Sequence, residues 1–146
     1  MIPTIATRNF NLEEVIHQPA QLLADPNQAE LIQIGLIAMG YVQSLRDALC
    51  EKFQKDIRLE ICSGFRNKQY NASVGGSPTS YHMWRFDKTA PGKGKVIFAL
   101  DIKSPDLSSK QLFDAVKDFV KGETEHRPKL KYVHFAPSGV DQEWEQ

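Results

Sequence analysis

Cysteine is scarce in this chain. Cys50 and Cys62 are the only two among 146 residues, and they lack the Cys-x-x-Cys spacing of a thiolate metal site or redox motif. They read as two buried free thiols, each behaving as a small apolar side chain. Net charge is equally absent: 18 Lys and Arg balance 18 Asp and Glu. A general nucleic-acid binder or an anionic-membrane binder carries a basic excess, so neither class is expected. No apolar run approaches the roughly 20 residues that span a bilayer. The opening MIPTIATRNFNLEE lacks the basic start and apolar stretch of a secretory signal, so synthesis in a cytoplasm is expected, or export handled by something outside this sequence. No internal repeat and no low-complexity tract interrupts the chain.

What is present is ordinary for a soluble globular protein: 41% hydrophobic and 25% charged residues, enough for a real core in one domain over residues 1–146. Asn11 and Glu14 have the spacing of a capping box and open a short helix. Asp25-Pro26 is expected to open a second, with Leu31, Ile34, Ala38, Tyr41, Val42, Leu45, Leu49 and Phe53 recurring at helical spacing as one wall of the core. Ile57, Leu59 and Ile61 alternate with polar residues, as in a half-buried strand. The polar segment 63–80 holds one short helix around 67–72. Residues 82–86 and 96–102 are expected to form a hairpin, its tip containing Pro91, Gly92 and Gly94. Ser108 and Gln111 cap another helix, which Gly122 ends. A last strand covers 130–136. The order α, α, β, β, β, α, β indicates an α+β domain with a small antiparallel sheet packed against helices.

Three residues stand out for chemistry. His82, Asp101 and His134 form a His/Asp/His set, and imidazole nitrogen and carboxylate oxygen are normal zinc ligands. Three protein ligands leave a fourth position open, the pattern of a catalytic site rather than a structural one. By the expected hairpin, His82 and Asp101 stand side by side on neighbouring strands.

The surrounding segments carry a resemblance. SGFRNKQYNASVGGSPTSYH resembles the SGYRS…N…VGG…S.H segment of the D-alanyl-D-alanine carboxypeptidase family of zinc peptidases. Small single-domain members, many encoded by phages and prophages, are especially similar. ALDI matches the family's A.DI, YVHF matches its WVH, and NFNLEE resembles the start of those members. The likeness runs from about Asn9 to Ala136. It implies a hedgehog-like D-Ala-D-Ala-peptidase fold, Zn2+ on His82, Asp101 and His134, Arg66 facing the substrate, and Ser80 in a supporting, substrate-side role. Asp87 is nearer His82 in the chain but lacks the A.DI context, so Asp101 is the preferred ligand.

Three departures accompany the likeness. The stretch between His82 and Asp101 is longer than the family's and requires a protruding hairpin. MWRF replaces a glycine after the first histidine. Lys131 stands where an acid, the general base, often precedes the last histidine. An ammonium is a poor proton acceptor, so the base is sought elsewhere. Glu125 is the candidate, in the loop leading into the His134 strand. Glu123 is expected to be committed to the helix end, and His126 is a further acid–base group. Arg85, Lys88, Lys93 and Lys95 make the hairpin basic, either as a solvated tip or as a contact for anionic cell-wall polymer or a protein neighbour.

The resemblance implies a zinc-dependent peptidase that hydrolyses a peptide bond of the peptidoglycan stem peptide or cross-link, such as a phage lysin. Its location would be the host cytoplasm before release, or the virion. The expected partner is the peptidoglycan peptide, with other virion proteins in the second case, and neither nucleic acid nor membrane. The alternative is a peptidase-like structural or binding module of a phage particle with little or no turnover.

Overall fold

A computed structural model describes residues 1–88 and 94–140. Three helices open the chain: α1 (Leu12–Ile16), α2 (Pro19–Leu23) and α3 (Gln28–Phe53). The capping box of α1 is present in full, with the Asn11 side chain accepting from the Glu14 N–H and Glu14 reaching back to the Asn11 backbone. α2 was not expected from the sequence; Pro19 sits at its first turn, where a missing N–H costs nothing. Pro26 does not open α3, which starts two residues later, because Asp25 Oδ1 accepts from the Asn27 N–H at 2.8 Å and closes a turn first.

Then follow β1 (Glu60–Ser63), α4 (Lys68–Ser73), β2 (Arg85–Asp87), β3 (Lys95–Ile97), β4 (Leu100–Lys103), α5 (Ser109–Phe119), β5 (Gly122–Arg127) and β6 (Tyr132–Pro137). The main sheet is antiparallel in the order β1-β4-β6-β5, and β2 and β3 form a separate two-stranded sheet. The fold is α+β with a small antiparallel sheet, as expected. Leu100, Ile102, Val133 and Phe135 point to the helical side and are fully buried. There Tyr41 of α3 stacks on Phe135 at 6.0 Å and meets Phe98 and Phe119 edge-on. Strand alternation therefore turns Asp101 and His134 to the opposite face.

Three expectations need correction. Ile57 and Leu59 are buried, but the strand begins only at Glu60. The hairpin expected from 82–86 and 96–102 is narrower: Arg85–Asp87 pairs only with Lys95–Ile97. The chain then breaks between Ile97 and Leu100 and enters the main sheet as a different strand, paired with β1 and β6. His82 consequently lies in a turn, not on a strand beside Asp101. Finally, the segment after Gly122 is a strand rather than a loop. GETEHR contains no apolar residue to announce a strand; it forms one because β6 offers it a full ladder from Gly122↔Pro137 to Arg127↔Tyr132. Lys131, at φ 59°, belongs to the turn joining the two. Of the expected hairpin tip, Pro91, Gly92 and Lys93 lie outside the described residues.

Candidate metal centre

The sheet register assembles the site. Asp101 of β4 lies opposite His134 of β6, and His134 lies opposite Glu125 of β5. Directly opposed residues share a face, so these three side chains form one row across three strands. On the far side of β4, Ser63 is opposite Asp101, beside a register shift at Cys62 that bends β1 near the site.

His82 enters the row from outside the sheet, held almost wholly by backbone. Its carbonyl accepts from the Arg66 N–H at 2.8 Å, and its own N–H donates to Ser80 Oγ at 3.2 Å. Its Nδ1 is 2.7 Å from the Gly64 carbonyl oxygen. Gly64 and Phe65 are in turn stitched to the end of α1, where Phe65 N–H donates to the Ile16 carbonyl at 2.9 Å. No side chain fits at position 64, since a Cβ there would lie 2.1 Å from the Val15 carbonyl oxygen.

Both histidines converge on one oxygen. Asp101 Oδ1 is 3.1 Å from His82 Nε2 and 2.8 Å from His134 Nδ1. The ligand atoms of His82, Asp101 and His134 all lie within 4.8 Å of one another. His82 and Asp101 are buried, and His134 is half-buried. Burial pushes the Asp101 carboxyl up, but hydrogen bonds to His134 and His82 outweigh it and bring it down to about 2. At His134 burial works against the charged ring, yet hydrogen bonding to Asp101 and Glu123 prevails and moves its pKa up.

The donor set fits a metal ion on stereochemical grounds. A carbonyl oxygen only accepts, so His82 Nδ1 must carry the hydrogen it gives to Gly64. In the neutral ring, Nε2 is then a bare lone pair facing a carboxylate oxygen. His134 likewise has an acceptor at each nitrogen, Asp101 on one side and Glu123 Oε1 at 2.5 Å on the other. Lone pairs facing a shared carboxylate are the arrangement that one central cation resolves.

The row forms the floor of an open cavity of about 810 Å3, walled by Arg66, Ser80, Arg85, Glu123, Glu125 and Tyr132 among others. Arg66 follows the SGF turn, with Nη2 3.8 Å from Asp101 Oδ2. Its Nη1 donates to Asn71 Oδ1 at 3.5 Å, and its Nε is buried with no partner among the described residues. Arg85 Nη1 is turned to its own loop, donating to the Ser80 and Met83 carbonyls. Gly75, at φ 74°, makes a turn at the cavity rim. Cys50 and Cys62 are both half-buried rather than fully buried, and burial pushes the Cys62 thiol up to about 11, away from a thiolate ligand.

The acids of β5 divide. Glu125 lies opposite His134 in register, but its carboxylate is paired with Arg127. Glu123 is not committed to the helix end: it reaches His134 Nε2. His126 points to the other face of β5, 2.9 Å from Ser109 Oγ and stacked on Phe113 at 5.3 Å, away from the cavity. Tyr132 and Arg127, both cavity-lining, were not singled out from the sequence. The period-two spacing of Glu123, Glu125 and Arg127 was the available signal, since it places all three on one face of a strand.

A His/Asp/His cluster at the base of an open polar cavity is a group that could hold a metal ion. The family model for Peptidase M15 matches residues 9–136, and the chain belongs to that family, whose members are zinc-dependent peptidases related to the D-Ala-D-Ala carboxypeptidases. Searches of curated proteins and of solved structures each found no match. Among the described residues, no helix is long and apolar enough to cross a membrane.

Proposed function

We propose that this chain is a zinc-dependent peptidase that hydrolyses a peptide bond of the peptidoglycan stem peptide or its cross-link. The observation that carries the reading is the convergence of His82, Asp101 and His134 within 4.8 Å at the floor of a cavity that Arg66 also lines. Family membership supplies the class of bond. The likeness to small phage and prophage members supports a lysin or a virion component.

His82, Asp101 and His134 would hold the metal; zinc there supplies Lewis acidity toward a peptide carbonyl and toward water. Arg66, whose guanidinium lines the cavity beside Asp101, binds a carboxylate or carbonyl oxygen of the peptide. Ser80 accepts from the His82 N–H and lines the cavity, which supports a substrate-side role for it. Glu125 is the proton carrier: its carboxylate takes a proton from the attacking water and returns it to the departing amine nitrogen, as the C–O bond forms and the C–N bond breaks.

One observation favours the second reading, a peptidase-like module of a phage particle with little turnover: each acid on β5 already has a partner, Glu123 on His134 and Glu125 on Arg127. Clearing of a peptidoglycan overlay by zinc-loaded protein, abolished by a chelator, is the result expected of the enzyme. Glu125→Gln should then keep zinc and fold but lose at least about 10²-fold in turnover. Absence of cleavage by the zinc-loaded wild type would favour the module, and unchanged turnover in Glu125→Gln would remove Glu125 from the mechanism.

A further inference from the structure

We propose that Glu123 is the positioning residue of the metal centre, fixing the His134 imidazole so that Nδ1 faces the metal and Nε2–H points away from it. The inference rests on the metallopeptidase reading and assigns the two acids of β5 separate tasks.

Strand geometry alone would favour Glu125 as the partner of His134, because the two are directly opposed. The observed partner is instead the diagonal neighbour, Glu123, whose Oε1 is 2.5 Å from Nε2. Glu125 turns to Arg127. An ionised carboxylate has no hydrogen to give, so the hydrogen of this contact sits on His134 Nε2. In the neutral ring that metal ligation requires, Nδ1 is then the lone pair, and it is the nitrogen that faces Asp101 Oδ1, at 2.8 Å. The ring that lies nearer the open side of the cavity thus has its tautomer set from outside by an acceptor.

His82 shows the same device in mirror form. There the outer acceptor is the Gly64 carbonyl on Nδ1, and Nε2 faces the centre. The two histidines therefore present opposite nitrogens to the same point, each with its other nitrogen pinned by an oxygen. An outer acceptor of this kind orients a ligand ring and raises its basicity, and its loss commonly weakens metal binding by roughly 10–100-fold. A carboxylate hydrogen-bonded to a ligand ring holds that ring in place, which is the positioning task assigned to Glu123.

The test is zinc affinity by competition with a chromophoric chelator, read beside thermal stability of the metal-free protein. Glu123→Ala should bind zinc roughly 10–100-fold more weakly, with the metal-free melting temperature little changed. Glu123→Gln keeps an acceptor oxygen and should recover part of the loss, and it carries the test if the alanine variant does not fold. Glu125→Gln should leave zinc affinity at the wild-type level. Long-range ¹H–¹⁵N spectra of the zinc-loaded wild type should show His134 protonated at Nε2. Wild-type zinc affinity in folded Glu123→Ala and Glu123→Gln, or His134 ligation through Nε2, would overturn the assignment. Loss of turnover in Glu123→Gln at unchanged zinc affinity would make Glu123 a proton carrier and also overturn it. A wild type that binds no zinc would bring down the metal reading itself, a result distinct from all of these.

Discussion

The two histidines of the site are held by different kinds of structure. His82 sits in a turn, 2% exposed, and its ring is aimed by the Gly64 carbonyl while its backbone is tied to Arg66 and Ser80. His134 sits on a strand, half-buried, and its ring is aimed by one side chain, Glu123. A backbone carbonyl cannot be deleted by substitution, so the His82 side is fixed as firmly as the fold itself. A carboxylate side chain can be exchanged without touching the fold, so the His134 side is where affinity and orientation can be tuned.

Removing the residue that joins the two sides should have the largest effect. Asp101→Ala takes away the oxygen shared by both rings, and elemental analysis should find zinc lost from the purified protein. Full zinc occupancy in this variant would show that the two histidines do not meet at one metal.

The next effect separates the sides. Gly64→Ala places a methyl group 2.1 Å from the Val15 carbonyl oxygen, and forcing atoms into a packed backbone junction costs at least about 1–3 kcal/mol. Denaturant unfolding of the metal-free protein should show that loss, with zinc affinity falling too because the His82 anchor moves. Glu123→Ala, by contrast, should change metal-free stability by no more than about 0.5 kcal/mol. Equal stability costs for both would erase the distinction between backbone and side-chain support.

The smallest effect sharpens the comparison from outside. Arg58 clamps Asp106 through its backbone N–H, Nε and Nη2, linking the lead-in of β1 to the lead-in of α5. Hydrogen bonds from the Arg58 side chain and backbone hold the Asp106 carboxyl down to about 2, against about 3.9 in an unfolded chain. A carboxyl whose folded value is depressed contributes stability above the unfolded value and loses it as pH falls through the folded one. Acid unfolding of Asp106→Asn should therefore be shallower between about pH 4 and pH 2 than that of the wild type. Zinc affinity near neutral pH should be unchanged, and a change there would mean the clamp reaches the site.

By itself, the sequence determined the helix caps at Asn11 and Ser108, the α3 core stripe, the α+β class and the identity of the three clustered side chains. Each of these is written in local spacing or in motifs such as SGFR, ALDI and YVHF. Only the tertiary structure decided how the pieces meet. The expected pairing of the 82–86 and 96–102 segments broke because Leu100–Lys103 finds better partners in β1 and β6 than in β2. GETEHR became a strand because an edge position against β6 needs a ladder of backbone hydrogen bonds, not apolar side chains, and such a ladder leaves no mark in composition. The structure also separates Glu123 and Glu125 by their contacts, on His134 and Arg127 respectively. They are two residues apart in sequence and alike in chemistry, and only the position of the His134 ring across the sheet tells them apart.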